Sequence, residues 1–219
     1  MDHLDHFRIL RRTWQLGPVS LCNRSIEDKV QRGKKSSIDE YDCMKWLDSK
    51  EPNSVIYVCF GSIAIFSAAQ LHETALALEA SGQQFIWVVR GCTDRESNDH
   101  EWFPKDFETR IEGKGLIIRG WAPQVLILDR RLTGGFVTHC GWNSTMGGIS
   151  AGLPMVTWPF FAEQFFNEIF ATQILKTGVA VGAKQRREAA SVSPVVKREA
   201  IEKAVRQIMV GEKAKEIRN

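Results

Sequence analysis

Several common signatures are missing from this 219-residue sequence, and each absence removes a class of function. No run of about 18 apolar residues occurs, so no transmembrane helix is expected. The start, MDHLDHFRILRR, is charged and lacks the apolar stretch of a signal peptide. Cysteine is sparse: Cys22, Cys43, Cys59, Cys92 and Cys140 are odd in number, widely spaced and form no CxxC pair. That argues against zinc and against a disulfide framework; it fits a reducing compartment, and the cytosol is the expected location. Cys59, inside an apolar run, reads as a small core residue. An excess of one charge is also lacking. The net charge is +3, and the basic residues are scattered apart from short runs such as Lys34-Lys35 and Arg186-Arg187. Neither nucleic acid nor a membrane surface is an expected partner. GxGxxG and GxxxxGK[ST] are both absent, which removes the usual dinucleotide fingerprint and the P-loop. No internal repeat is visible.

What is present is an ordinary globular composition, 43% hydrophobic and 25% charged. Residues 1–40 read as a linker or tail, because 24–39 is polar and rich in Lys, Ser and Gly. The domain is expected over 41–219. A short helix over Cys43 to Leu47 precedes Ser54 to Phe60 (SVIYVCF), a continuous β-rich run suited to a strand buried on both faces. Ser67 to Ser81 is predicted to be a helix, with Ser67 as N-cap and Gly82 as stop. Further strands are expected over Gln84 to Arg90, Leu116 to Arg119, Gly135 to Thr138, Met155 to Trp158 and Gly178 to Val181. Helices are expected from Val125 to Leu128, Trp142 to Ser150, Phe161 to Gln173 and Val195 to Val210. This alternation predicts an α/β fold: a Rossmann-like, mostly parallel sheet with helices on both faces. In such sheets ligands sit at the carboxyl ends of the strands.

The most informative stretch runs from Trp121 to Gln164. In HCGWNST, Gly141 permits a tight turn after a strand, and residues 142–144 offer backbone amides at a helix start. Free amides and the helix dipole attract phosphate there. Taken singly, Ser144 could merely cap the helix and His139 could be a core histidine. Asn143 adds a third polar group, and together they favour an anion site. Ser62, after the first strand, is placed to contribute. Trp121 could stack on a flat base or could be one more core tryptophan among seven. Glu163 and Gln164 could grip sugar hydroxyls or could be an exposed helix start.

WAPQ, HCGWNS and WPFFAEQ, at their spacing, closely resemble the signature box of plant UDP-dependent glycosyltransferases of secondary metabolism. GPVSLCNR, WLDSKEPNSVIYVCFGS, QLHETALALEASGQQFIWVVR and WFPKDFETR are similar to the same family. The resemblance covers roughly residue 14 to the C-terminus and is nearest to enzymes of flavonoids, saponins and related phenolics or triterpenoids. It implies the second half of a two-domain GT-B enzyme. UDP-glucose, or another UDP-sugar, is the implied co-substrate, with no metal. It implies roles as well: Trp121 stacks on uracil, Ala122 contacts it through its backbone and Gln124 lies by the ribose. Ser62, His139, Asn143 and Ser144 hold the diphosphate. Trp142, Glu163 and Gln164 meet the sugar, and the final Gln accompanies glucose. The family's acceptor pocket and catalytic His belong to the N-terminal domain, so no catalytic base is expected here; His3 and His6 are poor candidates. A small-molecule acceptor would need that domain. A non-catalytic nucleotide-sugar binding module and an inactive truncated product, with an exposed apolar face, stay open as alternatives.

The sequence departs from the family pattern in two places. Gly147 stands where the family has a Glu that binds both ribose hydroxyls. Losing that charged acceptor is expected to cost roughly 1.5–3 kcal/mol of donor binding, and Gly in the helix about 1 kcal/mol relative to Ala. Arg130-Arg131-Leu132 replaces a His followed by a small apolar residue.

Overall fold

The computed structural model describes residues 35–62, 64–91, 102–183, 195–210 and 212–218. His3, His6 and the GPVSLCNR segment lie outside them. Among the described residues six parallel strands form one sheet: β1 (Val55–Cys59), β2 (Gln84–Val89), β3 (Gly115–Arg119), β4 (Thr133–Thr138), β5 (Met155–Thr157) and β6 (Gly178–Ala180). Their spatial order is β3-β2-β1-β4-β5-β6. The helices are α1 (Glu40–Asp48), α2 (Ala68–Ser81), α3 (Phe107–Arg110), α4 (Gln124–Leu128), α5 (Trp142–Ser150), α6 (Gln164–Ile169), α7 (Arg198–Met209) and α8 (Glu212–Arg218). A π-helical turn, Phe170–Ile174, continues α6.

The apolar run of β1 is sorted by the pleat into two cores. Ile56 and Val58 join the cluster that holds Leu71, Ala75 and Leu78 of α2 and Ile201, Val205 and Ile208 of α7. Val55, Tyr57 and Cys59 join the cluster under Cys43 and Leu47 of α1 and Ile127 and Leu128 of α4. Alternate residues therefore face opposite layers, which is why the sequence runs apolar without interruption. Trp87, Phe85 and Phe136 are at most 1% exposed, and each such side chain contributes about 1.5–3 kcal/mol by leaving water. The expected Rossmann-like architecture, with helices on both faces, is what the chain adopts.

Local signals set several boundaries. Ser67 Oγ accepts the Gln70 amide at the start of α2, and Gly82 ends that helix in the left-handed region. Strand β5 ends at Thr157 rather than Trp158, and the helix expected from Phe161 begins at Gln164 because Ala162 turns the chain at φ 52°. Large apolar side chains of the α6–π segment face outward, with Phe166 74% and Ile174 66% exposed.

Candidate active site: the donor edge

The strand order places a crevice. From β1 the chain runs outward to β2 and β3, then returns to β4 on β1's other flank. In a sheet of this order the carboxyl ends of β1 and β4, where the chain reverses its direction of winding, are the expected ligand edge. Three connections meet there: Phe60-Gly61-Ser62 after β1, His139-Cys140-Gly141 after β4, and Gly120 to Gln124 after β3.

His139 sits in a slot made by two glycines. A Cβ on Gly61 would lie 2.5 Å from His139 Cε1, and one on Gly141 would overlap Nε2. No larger residue fits at either place without moving the imidazole. Cys140, at φ 63°, turns the chain between them. Its carbonyl accepts from Asn167 Nδ2 at 2.8 Å, which ties the turn to α6. His139 is not a satisfied core histidine. Its Nδ1 is shielded from solvent with no hydrogen-bond partner among the described residues. Burial pushes its pKa below the ordinary imidazole value, partly offset by the Glu163 carboxylate nearby. The ring is therefore neutral at pH 7 and offers an N–H rather than a charge.

Helix α5 starts just beyond. Gly141 is its N-cap and provides no side-chain cap. The Thr145 amide bonds the Gly141 carbonyl at 2.9 Å, while the amides of Trp142, Asn143 and Ser144 have no partner among the described residues. Ser144 is thus the third helical residue and not the cap. Its hydroxyl accepts a long bond from Gln124 Nε2, 3.4 Å, which links the β3 and β4 connections. Ser144 is 7% exposed, whereas Asn143 and Ser62 are exposed. Uncapped amides, a helix dipole and a neutral imidazole suit an anion.

Trp121 is half-buried at the β3 end of this edge, beside the buried Ala122, which is 6% exposed. Three inter-strand spacings separate β3 from β4, about 14 Å, the order of length of an extended nucleoside diphosphate. At the other flank, after β5, Glu163 is exposed and starts α6 without capping it. Gln164 is 3% exposed. Its Oε1 accepts the Phe160 and Phe161 amides at 2.8 and 3.2 Å, so Gln164 is not an exposed helix start; only its Nε2 is left to meet a ligand. Trp142 is 53% exposed, its ring 6.5 Å from that of Phe170.

A family model described as "UDP-glucoronosyl and UDP-glucosyl transferase" matches residues 4–216. The chain belongs to this family of UDP-sugar transferases. It is 61% identical over 220 residues to a scopoletin glucosyltransferase of Nicotiana tabacum, covering 100% of this chain and 45% of that protein. It is 57% identical over 222 residues to an anthocyanin 3'-O-beta-glucosyltransferase of Gentiana triflora, covering 100% and 46%. The chain thus spans about half the length of these relatives. Among solved structures it is similar to Glycyrrhiza uralensis UGT73P12 complexed with glycyrrhetinic acid 3-O-monoglucuronide, with TM-score 0.84, 43% identity and coverage of 98% of this chain and 44% of that one. Phytolacca americana UGT2, complexed with UDP-2fluoro-glucose and pterostilbene, gives TM-score 0.72 and 40% identity over 83% of this chain and 38% of that one.

Within this member of the UDP-sugar transferase family, sequence reasoning missed four residues of the edge. Asn167 carries no motif signal, because its partner Cys140 belongs to another connection. Ser36 and Ser37 read as linker, yet both bond the Trp121 backbone. Arg90 read as the end of a strand, yet its guanidinium lies 5.3 Å from the centroid of the Trp121 ring. Among the described residues no group of three or more His, Cys, Asp or Glu side chains is placed to hold a metal. No helix of the described residues is long and apolar enough to cross a membrane.

Proposed function

We propose that this chain is the donor-binding half of an inverting glycosyltransferase. It binds UDP-glucose, or another UDP-sugar, for transfer to a hydroxyl of a small plant metabolite such as a flavonoid or triterpenoid. The relatives named for scopoletin and anthocyanin glucosylation support that acceptor class. The observation that carries the reading is the linear order across one sheet edge: an indole at β3, an uncapped helix start and a neutral imidazole at β4, and a polar pair at β5. In that order Trp121 stacks on uracil, the Ala122 backbone contacts it, and Gln124 lies by the ribose. Ser62, His139, Asn143 and Ser144 take the diphosphate, and Trp142, Glu163 and Gln164 face the sugar.

The chemistry assigned to these residues is that of the leaving group. The acceptor oxygen attacks the anomeric carbon, the bond from that carbon to the diphosphate oxygen breaks, and UDP departs with the electron pair. Charge then grows on the oxygen aimed at the α5 N-terminus. Fixed amides and the His139 N–H stabilise it without reorganising. The acceptor's proton goes to a base that none of these residues supplies; the family resemblance assigns it to a histidine of the N-terminal domain. No metal is given a role. The buried thiols of Cys43, Cys59 and Cys140 are free, which supports a cytosolic setting.

Calorimetric titration with UDP and UDP-glucose tests the reading. Both should bind with a one-to-one stoichiometry, and Trp121→Ala should weaken both. No binding at millimolar ligand would refute it. Glucose transfer to a flavonol by this chain alone would refute the assignment of the base to the other domain.

A further inference from the structure

Three hydrogen bonds hold the Trp121 backbone. Its N–H donates to Ser37 Oγ at 2.7 Å. Its carbonyl accepts from the Ser37 amide at 2.8 Å and from Ser36 Oγ at 3.2 Å. These bonds fix the backbone but leave the indole free to rotate about its side-chain bonds. The ring has a separate contact. Val89 pairs with Arg119 in the β2–β3 register, and the Gly120 amide donates to the Val89 carbonyl at 2.8 Å. That register carries Arg90, the next residue of the β2 chain, against Trp121. The Arg90 Cζ stands 5.3 Å from the ring centroid, within cation–π range. Arg90 Nη1 is shielded from solvent and has no hydrogen-bond acceptor among the described residues. Arg90 also makes no ion pair with a described carboxylate. Among the described residues, the Trp121 ring is the group that faces this half-buried guanidinium.

We propose that Arg90 is a positioning residue for the nucleobase. Its guanidinium backs one face of the Trp121 indole and so presents the opposite face to the uracil. It acts through Trp121 and does not touch the diphosphate, whose cradle lies two strands away at β4. The proposal rests on the reading of Trp121 as the base wall.

A double-mutant cycle on the full chain separates the two ideas, with UDP affinity followed by NMR titration so that millimolar constants are readable. Arg90→Met, which keeps the apolar stem, is expected to weaken UDP about tenfold. In the Trp121→Ala background the same change is expected to alter affinity less than twofold, because the partner it acts through is gone. Arg90→Lys should recover more than half of the loss. Should Arg90→Met melt below the assay temperature, Arg90→Lys against Arg90→Gln carries the same cycle. An equal loss in both backgrounds would mean direct contact with UDP and would overturn the proposal. So would unchanged or tighter binding by Arg90→Met, the latter meaning that Arg90 competes for the base's face. If Trp121→Ala itself leaves UDP affinity unchanged, the base-wall reading fails and this proposal fails with it.

Discussion

The two ends of the donor edge are built on opposite terms. At the β3 end, both backbone groups of Trp121 and its ring have partners. At the β4 end, His139 Nδ1 and the first amides of α5 have none among the described residues. A shielded polar atom without a partner costs roughly 1–3 kcal/mol. The Trp121 backbone avoids that cost, Arg90 Nη1 behind its ring does not, and the cradle carries it until an anion arrives. The difference teaches which part is preformed as a surface and which is preformed as unmet hydrogen-bonding capacity.

The comparison can be broken most severely at the cradle. Gly141→Ala puts a Cβ onto His139 Nε2, so the imidazole must leave its slot. UDP affinity should fall at least about 30-fold, roughly 2 kcal/mol; titration giving a constant within threefold of the parent would detach His139 from the diphosphate. Next in size is a gain. Gly147→Glu supplies the acceptor that the family resemblance assigns to the ribose. A Cβ there would lie 3.3 Å from Leu128 Cδ1, the movable end of a side chain, so the residue fits with a small shift. UDP should bind about tenfold tighter, and unchanged affinity would reject the ribose argument. A smaller loss is expected at the wall. Ser37→Ala removes the acceptor for the Trp121 amide and should weaken UDP about three- to fivefold, near 1 kcal/mol; no change would show that the backbone clip does not position the ring.

The smallest effect concerns pH. The folded-state pKa of His139 lies below its ordinary value because of burial. Between the two values the unfolded chain binds a proton that the folded chain refuses, so stability falls as pH drops through about 6.5. His139→Gln should flatten that dependence. Thermal unfolding at pH 7.5 and 5.5 compares the two, and equal losses in parent and variant would contradict the assignment.

Legibility followed the range of the interactions. Helix α2 was readable because its cap, Ser67, and its stop, Gly82, are local to it. Helix α5 was readable to the residue, since Gly141 breaks the strand and the apolar spacing resumes at once. Helix α3 escaped because four residues show no periodicity, and the π turn after α6 has no sequence signal of its own. The alternation of strands and helices implied a parallel sheet but not the order that sets β4 beside β1. In the candidate site, His139 and Ser144 were legible as a strand end and a helix start. Ser62 was legible as following β1, but the room its neighbour Gly61 leaves for His139 depends on strands far apart in sequence. Arg90 and Ser37 were illegible for the same reason, since each acts on Trp121 from a different part of the chain.

The central claim is that one edge of the sheet receives a UDP group along its length. The most direct measurement is a UDP titration of the isotopically labelled chain followed by amide and indole NMR signals. Saturable shifts are expected at the Trp121 indole and at the amides of Trp142, Asn143 and Ser144, moving together with one dissociation constant. Saturable shifts elsewhere with these signals unmoved, or no shift at millimolar UDP, would contradict it.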